Sequence, residues 1–189
     1  GVFFFFFKVG QVTPLLKKPG ANTEDMANYR PITNLNTIGK TLERLAQKQL
    51  RRHIEKSPNV GSLQSAYRAL HSTETAMTKV VSDLLTATDR QTPDVLLALD
   101  ISAAFDTLDH QRLLERANSL FGFDDVVLRW LRSYLSDRQQ FVSVGGRQSP
   151  TVSLGSGVPQ GSVLGPLLFS VFTTPVGTLI KSFGMRYHI

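Results

Sequence analysis

The sequence predicts an α+β fold, and three observations lead there. Residues 37–56 place Ile38, Leu42, Leu45, Ala46, Gln49/Leu50 and Ile54 at helical spacing,. Short runs at 11–16, 94–101, 140–144 and 151–154 have strand character, the last two around Gly145-Gly146, a strong hairpin signal,. The composition changes near residue 90. Residues 1–90 hold 13 Lys/Arg against 7 Asp/Glu, whereas residues 91–189 hold 8 of each, so the net charge of +6 lies wholly in the first half. That asymmetry fits a surface facing a phosphate backbone, and equally a merely soluble basic face.

Along the chain, Val2–Phe7 is apolar but far short of the roughly 20 residues needed to span a bilayer, and it lacks the basic flank of a signal peptide,. Its five consecutive phenylalanines read as an odd chain start, and the whole reads as a fragment. Gln11–Leu16 is a short strand in which Pro14 requires an edge or strand end. Lys17-Lys18-Pro19-Gly20 is a basic turn, and 24–35 reads as a loop,. The 37–56 helix carries Lys40, Arg44, Lys48, Arg51 and Arg52 outward. After a loop at 61–71, Ser72 caps a helix reaching about Thr88,.

In the second half, Val95–Leu99 reads as the centre of a buried strand over 94–101, ending at Asp100,. A carboxylate there calls for a partner or a cation. Helices follow at 110–119 and 124–135, with Asp109 and Asp124-Asp125 at their starts. Residues 162–174 read as a fully buried helix that Pro175 bends or ends, and 184–189 as a further strand,. With 41% apolar residues the chain can fold around a core, and without cysteine it has neither disulfides nor a thiolate metal site,.

Two segments carry the chemistry. Leu97-Ala98-Leu99-Asp100-Ile101-Ser102-Ala103-Ala104-Phe105-Asp106-Thr107-Leu108-Asp109-His110 is followed some fifty residues later by Gly157-Val158-Pro159-Gln160-Gly161-Ser162-Val163-Leu164-Gly165-Pro166. Together they resemble motifs A and B of the reverse transcriptases of non-LTR (LINE-type) retrotransposons. Leu15-Leu16-Lys17-Lys18-Pro19, Asn28-Tyr29-Arg30-Pro31-Ile32, Gln64-Ser65-Ala66-Tyr67-Arg68 and His71-Ser72-Thr73-Glu74-Thr75-Ala76 resemble the fingers motifs of the same family. The likeness covers residues 11–189.

The resemblance implies a right-hand polymerase: a basic, mostly helical fingers part over 1–90, and over 91–189 a partial palm with an antiparallel sheet backed by helices. It implies transfer of deoxynucleotides to a primer 3′-end, with an RNA template, a DNA primer, dNTPs and two Mg²⁺ ions. Asp100 would be the catalytic metal ligand, joined by the Ile101 carbonyl. Phe105 would lie under the incoming sugar and exclude a ribose 2′-hydroxyl. Gln160 and Gly161 would line the nucleotide pocket, with the N-terminus of the helix starting at Ser162 turned to the phosphates. Arg30 and either Lys17 or Lys18 would clamp the triphosphate. Asp106, Asp109 and His110 complete the pattern and read as structural.

The same resemblance implies an intracellular life, cytoplasmic and nuclear, with no membrane partner. The family's Tyr/Phe-x-Asp-Asp hairpin is expected just beyond Ile189, so the chain by itself is expected to be inactive as a polymerase. The alternative is a non-catalytic, nucleic-acid-binding remnant of a decayed retroelement.

Overall fold

The computed structural model describes residues 2–61, 63–91 and 95–189. Its elements, in chain order, are β1 (Val9–Leu16), β2 (Tyr29–Asn34), α1 (Thr37–Ile54), α2 (Thr73–Asp89), α3 (His110–Phe121), α4 (Asp125–Leu135), β3 (Arg138–Val144), β4 (Arg147–Gln148), β5 (Val152–Leu154) and α5 (Gly165–Ser182).

The helices begin where short polar side chains can take up free amides. The Asn36 Oδ1 accepts from the Ile38 amide at 2.8 Å. Ser72 and Thr75 exchange side-chain and backbone bonds in a capping box,. Asp109 accepts from Arg112 at 2.7 Å and Asp124 from Val127 at 2.9 Å. Gly122 closes α3 at φ 62°, a left-handed position that glycine takes without penalty,. Asp109→Ala is expected to lower stability by about 1 kcal/mol. A melting midpoint unchanged in this variant would show that the α3 amides have another acceptor.

The sheet is mixed: the strands of 91–189 pair antiparallel with one another, and β1 from the first half adds a parallel pairing to them. Its order is β2-β1-β3-β4, with β5 also on β3. β1 runs antiparallel to β2 but parallel to β3, pairing Val9 with Gln139 and Val12 with Val142. The sheet therefore joins strands from both sides of residue 90. Pro14 lies beyond the stretch of β1 that pairs β3, and it faces Pro31 across β2. Two residues without an amide proton thus share one rung, and the ladder survives on either side.

Four further expectations change. The 24–35 loop contains β2. Gly145-Gly146, both at positive φ, turn β3 directly into β4, and 152–154 then returns to pair the first half of β3. α5 starts at Gly165 and passes through Pro175 to Ser182, leaving Val176 and Leu179 exposed. One turn before that proline, the Arg116 guanidinium bonds the Phe172 carbonyl and stacks on its ring. Residues 184–189 form no strand; instead the Ile189 amide donates to Leu63 at 3.0 Å, and its carbonyl accepts from Ser65.

The largest correction concerns 94–101. Residue 94 lies outside the described residues, and 95–101 belong to no strand. Val95, Leu96, Leu97, Leu99 and Ile101 are exposed. Apolar character is a necessary condition for a buried strand, but pairing needs a neighbouring backbone. The sheet closes without these residues.

The core lies among α3, α4 and α5, with Leu50 and Ile54 of α1 against it. Leu108, Leu113, Leu131 and Leu164 are wholly inaccessible, each stabilising the fold by about 2 kcal/mol. The phenylalanine run is no loose start. Phe3 is 2% exposed and meets Trp130 and Tyr134 edge to face at 5.9 and 5.2 Å. Beside it, Arg138 is buried with its Cζ 4.2 Å from the Tyr134 ring centre. Its Nε donates to the Tyr134 carbonyl, while its two terminal nitrogens have no partner among the described residues. Lys8 is buried next to this pair, 3.9 Å from Asp137. Burial pushes its ammonium below the usual lysine range, against the pull of Asp137,.

Candidate functional site

A turn over 102–107 leads out of the exposed 95–101 stretch. Ala103 takes a left-handed conformation at φ 51°, and its carbonyl accepts from the Asp106 amide at 2.9 Å and the Thr107 amide at 3.1 Å. The loop at 155–161 is laid along this turn. The Val158 amide donates to the Phe105 carbonyl and the Gly157 amide to Leu108, both at 2.8 Å. Ser156 Oγ donates to the Asp106 carbonyl at 3.1 Å, and His110 Nε2 to the Gly157 carbonyl at 2.7 Å. His110 and Asp106 are thus tied into the contact between turn and loop. Asp106 has one further contact: its carboxylate accepts from the Gln160 side chain at 3.1 Å.

The far side of the same loop docks on β2. The Thr33 amide donates to the Gln160 carbonyl at 2.7 Å. Gly161 sits at φ 129°, and a Cβ there would stand 2.5 Å from the Thr33 carbonyl oxygen. Only glycine allows that approach. Phe105 lies half-buried between Tyr67 and Phe169, with ring centres 6.3 and 5.3 Å away.

Beyond Gly161, the loop is fastened by α1. Glu43, 1% exposed, accepts from the Val163 amide at 2.7 Å and the Leu164 amide at 3.0 Å. Gln47 donates to the Val163 carbonyl at 2.9 Å. Ser162 Oγ accepts from Gly165 at 3.1 Å. The amides leading into α5 are thus already taken by an internal carboxylate and a hydroxyl. This corrects the expectation that a helix starting at Ser162 offers its N-terminus to phosphate. Tyr134 completes the cluster: its hydroxyl is buried near Glu43 and Ser162 but meets neither in hydrogen-bond geometry. Burial, and secondarily Glu43, push that phenol far above its ordinary range, against the opposing charge of Arg138,.

Glu43 was missed in the sequence, although a signal existed. The buried face of α1 runs through Gly39, Glu43, Leu50 and Ile54, while Ile38 and Leu45 point outward. A carboxylate four residues after one inward position and seven before another needs a buried partner.

The expected site residues fall into three places. Phe105, Gln160 and Gly161 are brought together by the bonds above. Lys17, Lys18 and Arg30 share the end of the β1–β2 hairpin, where Leu15 pairs Arg30. Lys17 Nζ is engaged by the Ala27 carbonyl at 2.7 Å, whereas Lys18 and Arg30 are exposed. Arg30 precedes Thr33 by three residues, so about 10 Å of strand separates it from the loop's docking point. Asp100 and Ile101 lie in the exposed stretch, outside any strand. Among the described residues no three His, Asp or Glu side chains converge as a metal site. Asp100 supplies a single carboxylate, a donor set that does not fit two Mg²⁺ ions. No helix among the described residues is long and apolar enough to cross a membrane.

Comparison with known proteins places these features. The family model described as "Reverse transcriptase (RNA-dependent DNA polymerase)" matches residues 16–188. The RNA-directed DNA polymerase from mobile element jockey of Drosophila melanogaster is 35% identical over 164 residues, covering 87% of this chain and 18% of that protein. The probable RNA-directed DNA polymerase from transposon X-element of the same fly is 34% identical over 167 residues, 88% of this chain and 18% of that one. The retrovirus-related Pol polyprotein from type-1 retrotransposable element R2 of Popillia japonica is 31% identical over 166 residues, 84% of this chain and 22% of its own length. The chain spans about a fifth of the length of these curated relatives. With its loop at 155–161 seated between the Phe105 turn and β2, and with the match running almost end to end, the chain belongs to the reverse transcriptase family, beside the polymerases of non-LTR retrotransposons.

Proposed function

We propose that this chain is the nucleotide- and template-contacting part of an RNA-directed DNA polymerase. One observation carries the reading: the loop bearing Gln160 and Gly161 is bonded on one side to Phe105 and Asp106 and on the other to Thr33, on the strand that carries Arg30. A flat aromatic and a polar amide thus meet at one loop junction, and the basic hairpin end lies about 10 Å along the strand on which that loop docks,. Arg30 and Lys18 bind the triphosphate, Lys17 being held by Ala27. Phe105 packs beneath the sugar and leaves no room for a 2′-oxygen. Gln160 and the bare backbone of Gly161 approach the base and the template.

Residues 1–90 then act as fingers and 91–189 as part of the palm, on an RNA template and DNA primer. In the whole reaction the primer 3′-oxygen attacks the nucleotide's α-phosphorus and pyrophosphate leaves. Divalent ions supply charge neutralisation in such chemistry; the single Asp100 carboxylate does not make a site for two of them,.

The test measures binding rather than turnover. Fluorescence anisotropy on a DNA-primed RNA template is expected to show affinity falling steeply from about 50 to 200 mM salt. A fluorescent dNTP should tighten that complex, and Arg30→Ala should weaken dNTP binding roughly tenfold with no change in melting. Nucleic-acid binding indifferent to dNTP would instead support the non-catalytic remnant. Salt-insensitive binding, or none, would overturn both.

A further inference from the structure

We propose that Glu43 is a positioning residue for nucleotide binding, acting from α1 through the loop that carries Gln160 and Gly161. The inference rests on the reading that this loop faces the nucleotide. Its basis is the placement of one carboxylate. Glu43 lies in the middle of an otherwise basic helix, flanked by Lys40, Arg44 and Lys48, yet it alone of these turns inward. Its Oε2 accepts from two consecutive amides, Val163 and Leu164, directly ahead of α5. A carboxylate at that place bonds the unpaired amides and complements the positive end of the helix dipole.

The loop is thereby held at both ends. Thr33 fixes the Gln160 carbonyl, and Glu43 with Gln47 fixes residue 163. Between those anchors lie only Gly161 and Ser162, so strand β2 and helix α1 together set the backbone of Gln160, while its side-chain amide is taken by the Asp106 carboxylate. Both anchors come from the first ninety residues, while the loop they hold belongs to the second half. Glu43 thus links the position of the basic helix to that of the nucleotide-facing loop. The buried Tyr134 phenol lies near it, and the buried Arg138 guanidinium stacks on the Tyr134 ring.

Three chains test this: wild type, Glu43→Gln and, as a control, Glu55→Gln, an exposed carboxylate at the C-cap of the same helix that pairs with Arg51. Glu43→Gln keeps the volume and an acceptor oxygen but removes the charge. Hydrogen exchange of the Val163 and Leu164 amides is expected to quicken about tenfold in Glu43→Gln alone. The Kd for a fluorescent dNTP on the primed template should rise by a similar factor. Affinity for the primed template without dNTP should stay level, a split that general destabilisation does not produce.

Should Glu43→Gln fail to fold, Gln47→Leu, which removes only the bond to the Val163 carbonyl, is expected to give the same pattern at reduced amplitude. Wild-type dNTP binding with Glu43→Gln, or Gln47→Leu in its place, equal to it would overturn this inference and leave the proposed function standing. No dNTP binding by the wild type would overturn the proposed function, and the inference with it.

Discussion

Gly161→Ala is expected to melt about 10 °C below the parent chain. Two penalties combine at this position. A φ of 129° is open to glycine and strained for any residue with a Cβ, which costs roughly 1–3 kcal/mol. The added carbon would also stand 2.5 Å from the Thr33 carbonyl oxygen, backbone that cannot swing aside as a side chain can. Overpacking of that kind costs a further 1–3 kcal/mol or so. For a chain of this size each kcal/mol shifts the midpoint by about 2–4 °C. Gly146→Ala is the matched control: φ is also positive, at 78°, but nothing lies within 4 Å of the new carbon. The two variants melting together would mean that the loop does not sit on β2. The Gly161 variant should in addition lose the Thr33–Gln160 bond, seen as faster exchange of the Thr33 amide.

Phe3→Ala should cost a comparable amount, about 3–5 kcal/mol. The ring is 2% exposed and touches Phe7, Trp130 and Tyr134, and the Arg138 guanidinium lies 5.7 Å from its centre. Its amide also donates to Ser133 Oγ at 2.9 Å. Removing the ring leaves a cavity and uncovers a buried guanidinium whose two terminal nitrogens have no partner among the described residues, so both packing and electrostatics lose,. Phe6, 84% exposed in the same run, gives the comparison. Phe6→Ala is expected to stay within about 0.5 kcal/mol of the parent. Equal melting of the two would show that the run does not dock against α4.

These two sites also show what the sequence made legible. Helices could be read because their caps and periodicity are local: Asn36, Ser72, Asp109 and Asp124 each act within three residues of themselves. The Gly145-Gly146 turn is local in the same way. β2 was hidden because Pro31 and three asparagines in 28–36 suggest a loop, and only β1 opposite makes them a strand. Phe3 and Phe6 stand in the same phenylalanine run and are opposite in environment, a difference set by Trp130 and Tyr134 more than a hundred residues away. The exposed 95–101 stretch fails for the converse reason, since apolarity was visible and the absence of a pairing strand was not. At the site, motif wording drew attention to Phe105, Gln160 and Gly161, which do come together. It passed over Thr33 and Glu43, whose contribution is one backbone amide and one carboxylate aimed at remote backbone.

The parallel pairing of β1 with β3 also bears on how the molecule comes into being. Val9 meets Gln139, about the same separation as the 130 residues between Phe3 and its partner Ser133. Among the described residues no strand nearer in sequence pairs that side of β1, so on a ribosome adding about 5–20 residues per second the strand waits on the order of ten seconds for its neighbour,. During that interval its partner among the described strands is β2, and the loop-closure entropy of the long span falls on the last step of sheet assembly,. Folding of this chain is therefore expected to be slow and late, with the α1 helix and the β1–β2 hairpin formed well before the sheet is complete.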